Sequence, residues 1–200
     1  MKKTDIDRFF REVSRQLTVP ARVYLTGGIA SWFMGGERPT EDIDFALKTK
    51  PKKWSEAADV FQKASQTLGI PIEYSENISR WSLIDIPDYE KTAKIYKRFD
   101  LLTVYLLDVP AWSVGKICRY YQSDVNDLLV VIRHEKTKPE ALVKVWAKAL
   151  KISPKSTSQI LFCKTAEDFL ERYGPKIWGK TFPSERHIKR FRNLAGIKKA

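Results

Sequence analysis

The chain has 200 residues, 43% apolar and 30% charged, enough to bury a substantial core as one domain, or as a compact domain with a helical extension, and too apolar for a disordered chain. Its 36 Lys and Arg against 24 Asp and Glu give a net charge of +12, a balance that favours polyanionic partners such as nucleic acid or anionic lipid. Only Cys118 and Cys163 are present, too far apart for a disulfide scaffold or a paired zinc site, and with neither the apolar run of a signal peptide nor the roughly 20 apolar residues of a membrane span, a cytoplasmic, membrane-free protein is expected.

In chain order, residues 4–17 place Ile6, Phe9, Phe10, Val13 and Leu17 on one helical stripe, with Thr4 or Asp5 available as a cap and Pro20 beyond the end. Residues 22–26 (RVYLT) read as a strand, Gly27-Gly28 as a turn, and 29–34 as a short helix stopped by Gly35-Gly36. DIDFAL at 42–47 alternates as a second strand, and a helix over about 55–68 follows the loop containing Pro51. Residues 72–74 and 81–86 read as further strands, 87–98 as a helix or an exposed excursion, and the apolar run 101–107 as a strand covered on both faces. From Trp112 on, only helical spacing remains, at 112–121, 124–135, 139–150 and 165–173. The expected fold class is therefore α/β (α+β): a small mixed-sheet core over 1–110, then a helical region over 111–200.

The surplus charge is uneven, because residues 151–200 hold 12 basic and 4 acidic groups, eight of the twelve excess charges. Lys176, Lys180, Arg186, Lys189, Arg190, Arg192, Lys198 and Lys199 form a nearly single-sign field suited to RNA phosphates. With only Phe182, Phe191 and Leu194 as apolar anchors, this tail is expected to be loosely packed. Trp54, Trp81, Trp112 and Trp146 suit a core, and Trp178 a base-stacking position. His134 and His187 lack the spacing of metal ligands or of a nucleophilic triad.

The informative stretch is LTGGIASWFMGGERPTEDIDFAL, residues 25–47. Glycines between a strand and a helix allow a phosphate to approach free backbone N–H groups, although such a turn is more often only a tight connection. Fourteen residues after Gly28 come Asp42 and then Asp44. On a strand these two carboxylates share a side, repel each other, and suit a hard cation such as Mg²⁺ or Mn²⁺; solvated acids on a strand edge are the bland alternative. Together, the glycine turn and the aspartate pair supply the two halves needed to bind a nucleoside triphosphate as its magnesium complex.

These residues resemble the nucleotidyltransferase fold of the DNA polymerase β superfamily, and Arg38, Thr40, Asp42, Ile43 and Asp44, as R-x-T-x-D-I-D, look like its AbiEii-type, toxin-like branch. Residues 107–128 (LDVPAWSVGKICRYYQSDVNDL) resemble that branch's second block, a helical lysine followed by two aspartates three apart. The resemblance implies that Gly27, Gly28, Ser31, Arg38, Thr40 and Asp127 contact the nucleotide, that Asp42 and Asp44 hold the metal, and that Lys116 lies near the phosphates. On an uninterrupted helix Lys116 and Asp127 would stand about 20° apart and flank one cleft, against the alternative that Lys116 is a solvated helix residue and Asp124 a cap. A third carboxylate acting as general base would be Asp85, with Asp100 as second choice, although some members of the branch manage with two. The implied activity is transfer of a nucleoside monophosphate from an NTP to an acceptor by a toxin with an antitoxin partner, and the basic charge makes RNA, particularly tRNA at its 3′ end, the favoured acceptor. The alternatives are a protein or small-molecule acceptor, or a non-catalytic RNA- or partner-binding module.

Overall fold

The structure, a computed structural model, describes residues 1–197 apart from the side chain of Trp81. Lys198 and Lys199 of the basic tail, and the expected core position of Trp81, lie outside the described residues. The chain divides into two compact units, one built from Met1–Phe33, Arg38–Ile78 and Glu90–Asp108, the other from Met34–Glu37, Ser79–Tyr89 and the chain from Val109 on. The class is mixed α/β with a helical C-terminal region.

In the first unit, α1 (Lys3–Gln16) leads into β1 (Ala21–Leu25), α2 (Gly27–Phe33), β2 (Ile43–Lys48), α3 (Trp54–Leu68) and β3 (Ile72–Ser75). A four-residue helix, α4 (Tyr89–Thr92), precedes β4 (Lys94–Phe99) and β5 (Leu102–Leu106). The strands form one sheet in the order β3-β2-β1-β5-β4. The β1–β5 and β2–β3 pairs are parallel, while β1–β2 and β4–β5 are antiparallel.

Alternation along the strands decides which side is buried. Val23 pairs with Leu47 and with Val104, and Leu25 with Phe45, so one face is continuously apolar. The predicted α1 stripe, Ile6, Phe9, Phe10, Val13 and Leu17, is buried in the same core with Ala57, Phe61 and Ala64 of α3. Phe10 meets Phe45 edge-on at 6.4 Å. Each such side chain contributes roughly 1.5–3 kcal/mol by leaving water, so this face fixes the register that the opposite face inherits. Asp5 caps α1 by accepting a 2.8 Å hydrogen bond from the Lys2 N–H.

Two expectations fail in this stretch. Residues 81–86 are not a strand: a 3-10 turn at Ile78–Trp81 runs into a bend in which Leu83 has φ 53°. Serines take the backbone groups that a ladder would have used. Ser153 Oγ accepts from the Asp85 N–H at 2.7 Å, Ser79 Oγ accepts from the Ile86 N–H at 3.0 Å, and Ser82 Oγ donates to the Ile84 carbonyl at 2.5 Å. Conversely, residues 94–98, which the sequence leaves as part of a helix or an excursion over 87–98, belong with Phe99 to strand β4. It is an edge strand, where lysine and arginine discourage further pairing and mask the apolar alternation. Asp7 of α1 anchors it, accepting from Tyr96 Oη at 2.9 Å and Lys97 Nζ at 2.6 Å.

The second unit is helical, with α5 (Val109–Arg119), α6 (Gln122–His134), α7 (Pro139–Ile152), α8 (Thr157–Arg172), α9 (Gly174–Trp178) and α10 (Ser184–Ala195). The expectation of a loosely packed tail is overturned. Helix α10 packs on α7 and α8, Phe191 is fully buried, and Arg192 grips Glu167 through two bonds of 2.7 and 2.5 Å. Few apolar residues suffice because His187 packs as a flat ring: it stacks on Phe182 at 4.7 Å, and Phe182 in turn fills the space that a side chain on Gly174 would need. Burial pushes the His187 pKa down, with Glu140 acting in the opposite direction. Trp178 is also part of the packing, its indole N–H donating to the Thr137 carbonyl at 3.0 Å. Among the described residues, no helix is long and apolar enough to cross a membrane.

Candidate active site

The polar end of the first unit's sheet is assembled by the register of β2 and its neighbours. The Thr26 N–H donates to the Asp44 carbonyl at 3.0 Å, which ties the glycine turn after β1 to the start of β2. Gly27 then takes φ +61° and begins α2. A Cβ at this position would lie 1.7 Å from Asp44 Oδ2, so the carboxylate rests directly against a bare α-carbon. Both requirements, positive φ and the absence of a side chain, select glycine. At Gly28 a Cβ would stand 3.0 Å from Thr40 Oγ1 and 3.8 Å from Arg38 Nη2, so the segment leading into β2 folds back over the second glycine. The Thr40 hydroxyl in turn reaches Asp42, at 3.0 Å from its carbonyl and 3.2 Å from Oδ1.

Asp44 is the register partner of Glu73 on the parallel neighbour β3, and parallel partners present their side chains to the same face. Asp42, two residues before Asp44, shares that side. Asp42, Asp44 and Glu73 each offer a carboxylate oxygen within 4.8 Å of the others. Three like charges this close repel unless a cation joins them, and an all-oxygen donor set suits Mg²⁺ or Mn²⁺. Asp42 and Asp44 are half-buried and Glu73 is exposed, so the three carboxylates are open to solvent.

Glu73 is not among the carboxylates that the sequence singles out. A helix connecting two parallel strands of one sheet returns the chain beside its starting strand, so a polar residue near the start of β3 could have been sought level with Asp44. Neither of the expected third carboxylates joins the triad. Asp85 lies in the serine-bonded bend of the second unit, not on a strand, and Asp100 is exposed in the connection between β4 and β5. Ser31 is buried on α2, its hydroxyl without a hydrogen-bond partner, and Arg38 is exposed.

The residues of the second block meet in the second unit. The helix carrying Lys116 is not continuous: α5 ends at Arg119, Tyr120 takes φ 54°, and α6 begins at Gln122. Across this corner Lys116 Nζ lies 2.9 Å from Asp124 Oδ1 and 2.6 Å from Asp127 Oδ2. Lys116 is 1% exposed, so it is neither a solvated helix residue nor one whose partner depends on an unbroken helix. Arg119 adds a 2.9 Å bond to Asp124. Burial raises the Asp124 pKa, but the hydrogen bond from Arg119 and the charge of Lys116 outweigh it and hold the carboxyl below its ordinary range.

The basic residues of the tail divide by environment. Arg192 is committed to Glu167, and Lys176 lies over the Tyr173 ring, 4.9 Å from its centroid. Lys180, Arg186, Lys189 and Arg190 are exposed. Comparison with protein-family models, with curated proteins and with solved structures yields no match for this chain.

Proposed function

We propose that the protein is a divalent-metal-dependent nucleotidyltransferase that moves a nucleoside monophosphate from a nucleoside triphosphate to RNA, with the 3′ end of tRNA as the favoured acceptor. The observation that carries this reading is the convergence of Asp42, Asp44 and Glu73 beside a glycine that has no room for a side chain. The sequence resemblance of the R-x-T-x-D-I-D text to the toxin-like nucleotidyltransferases supports it independently, and extends it to a cytoplasmic toxin held by an antitoxin protein.

In this reading Asp42, Asp44 and one carboxylate oxygen of Glu73 would hold Mg²⁺ or Mn²⁺, which when bound supplies charge stabilisation to the phosphoryl oxygens. Gly28, with Arg38 and Thr40 alongside, receives the triphosphate, and Arg38 offsets its charge. Glu73 accepts the proton of the acceptor hydroxyl. The acceptor oxygen bonds to the α-phosphorus, the bond between that phosphorus and the bridging oxygen to the β-phosphate breaks, and pyrophosphate leaves.

Incubation with Mg²⁺ and total RNA should transfer label from α-³²P-labelled NTP, and none from γ-³²P-labelled NTP, with transfer abolished in Asp42→Asn. Label entering only protein or a small molecule would replace the RNA acceptor. Retention of γ-label, no transfer from any of the NTPs, or a fully active Asp42→Asn variant would overturn the reading, and RNA binding without transfer would leave a non-catalytic module.

A further inference from the structure

We infer that the outward face of α10 is the surface on which RNA docks, and that Arg186, Lys189 and Arg190 are its phosphate contacts. This rests on the proposal that RNA is the partner, but not on catalysis. Successive helical residues are about 100° apart, so these three side chains fall within an arc of about 100°. His187 and Phe191, which face α7 and α8, occupy the other side. The packing that was unexpected for the tail therefore gives its charges a fixed geometry: a disordered basic segment would present all its cations alike, whereas this helix sorts them.

Three observations separate a docking face from ordinary solvated charge. Arg186, Lys189 and Arg190 are exposed and make no ion pair among the described residues, whereas Arg192 of the same helix is neutralised by Glu167. Lys151, at the last turn of α7, lies with its Cε 4.0 Å from where a Gly196 side chain would begin, extending the positive field past the C-terminal end of α10. The final quarter of the sequence also carries eight of the chain's twelve surplus positive charges. An unneutralised row of cations on a rigid helix matches a row of phosphates. The six basic residues between Lys176 and Arg192 thus divide into three that contact RNA, two that are engaged within the fold (Lys176 and Arg192), and Lys180, which precedes the helix.

Binding of bulk tRNA, measured by fluorescence anisotropy as a function of salt without NTP, tests the assignment. In the variant Arg186→Gln/Lys189→Gln/Arg190→Gln, the slope of log K against log salt should fall by about 2, from roughly 0.7 per lost contact, and affinity near 0.15 M salt should drop about tenfold or more. Lys50→Gln/Lys52→Gln/Lys63→Gln removes the same charge from exposed sites of the first unit and should keep the wild-type slope. An unchanged slope in the α10 variant, an equal loss in the control, or binding to phosphatidylglycerol vesicles with none to tRNA would overturn the assignment. Thermal melts of both variants establish that each is folded. Running the same titrations in an Asp42→Asn background separates this result from the fate of the transferase proposal, since docking should survive there even when transfer is lost.

Discussion

Replacing Gly27 with alanine should cut nucleotidyl transfer about a hundredfold or more, the scale of loss expected when a reacting group is displaced by about an ångström. The added methyl alone accounts for this. Its carbon would start 1.7 Å from Asp44 Oδ2, and Asp44, the second residue of β2, is held by Gly27's own neighbour through the Thr26–Asp44 bond. The carboxylate must therefore leave the position from which it meets Asp42 and Glu73. A residue with a side chain at φ +61° also costs about 1–2 kcal/mol of backbone strain, so the variant should melt a little lower while remaining folded. Activity measured against Mg²⁺ concentration distinguishes the causes. Displacement of Asp44 predicts that the metal requirement rises along with the loss of rate, whereas simple destabilisation predicts an unchanged metal requirement in the folded fraction. Wild-type activity would show that Asp44 has no place in the chemistry.

The second large effect concerns stability. Lys116→Met should destabilise the second unit by about 3–5 kcal/mol, the usual cost of removing one partner from a buried ionic cluster. Lys116 is almost wholly buried and bonded to two buried carboxylates; without it, Asp127 loses a 2.6 Å ion pair and Asp124 loses one of its two basic partners. Adding Asp127→Leu should restore part of the loss, since an apolar pair of similar volume replaces a buried carboxylate that has lost this ion pair. Thermal and denaturant melts measure both variants, and an unchanged midpoint for Lys116→Met would show that the cluster does not hold the corner.

The same cluster sets an acid limit. The folded-state Asp124 carboxyl lies below its ordinary value of 3.8, so the unfolded chain takes up its proton first as pH falls. Its contribution is present in full above the ordinary carboxylate range and is lost as pH falls through the depressed folded value. In denaturant melts across acid pH, Asp124→Asn should flatten the acid side of the stability profile while lowering the plateau.

These two regions were legible in the sequence to different depths. Gly27, Asp42 and Asp44 could be named because the motif is local: adjacent strands joined through one short helix place them together whatever surrounds them. Glu73 could not be named that way, since its relevance comes from the pairing of β2 with β3, which is a matter of register between segments 29 residues apart in the chain (Asp44 and Glu73). Lys116, Asp124 and Asp127 were recognisable as a set, but their geometry turns on the break at Tyr120, a residue whose left-handed conformation nothing in its identity announces. Helix α10 was hidden for another reason. Its inward face is built from a histidine and a phenylalanine, with burial lowering the histidine's pKa, so a count of apolar residues undervalued it. Strand β4 was hidden by its lysines, and the bend at 82–86 imitated a strand because the serines that replace its ladder are unremarkable one by one.

A division of labour follows from these positions. The first unit contributes the carboxylates and the glycine turn, the second contributes the unneutralised helix face, and the buried Lys116 cluster fixes the corner between α5 and α6 within the second unit. Substitutions on the α10 face should therefore change acceptor binding and its salt dependence, while substitutions in the carboxylate triad should change metal dependence and rate.

The claim on which the proposed chemistry rests is that Asp42, Asp44 and Glu73 share one divalent ion. Electron paramagnetic resonance of Mn²⁺ titrated into the protein with a non-hydrolysable NTP tests it most directly. Mn²⁺ should bind with the nucleotide in the wild-type protein, bind at least tenfold more weakly in Glu73→Gln, and be lost in Asp42→Asn/Asp44→Asn, as expected when one or two of a hard cation's few carboxylate ligands are removed. Wild-type Mn²⁺ binding in the double variant, with its fold intact by circular dichroism, would contradict it.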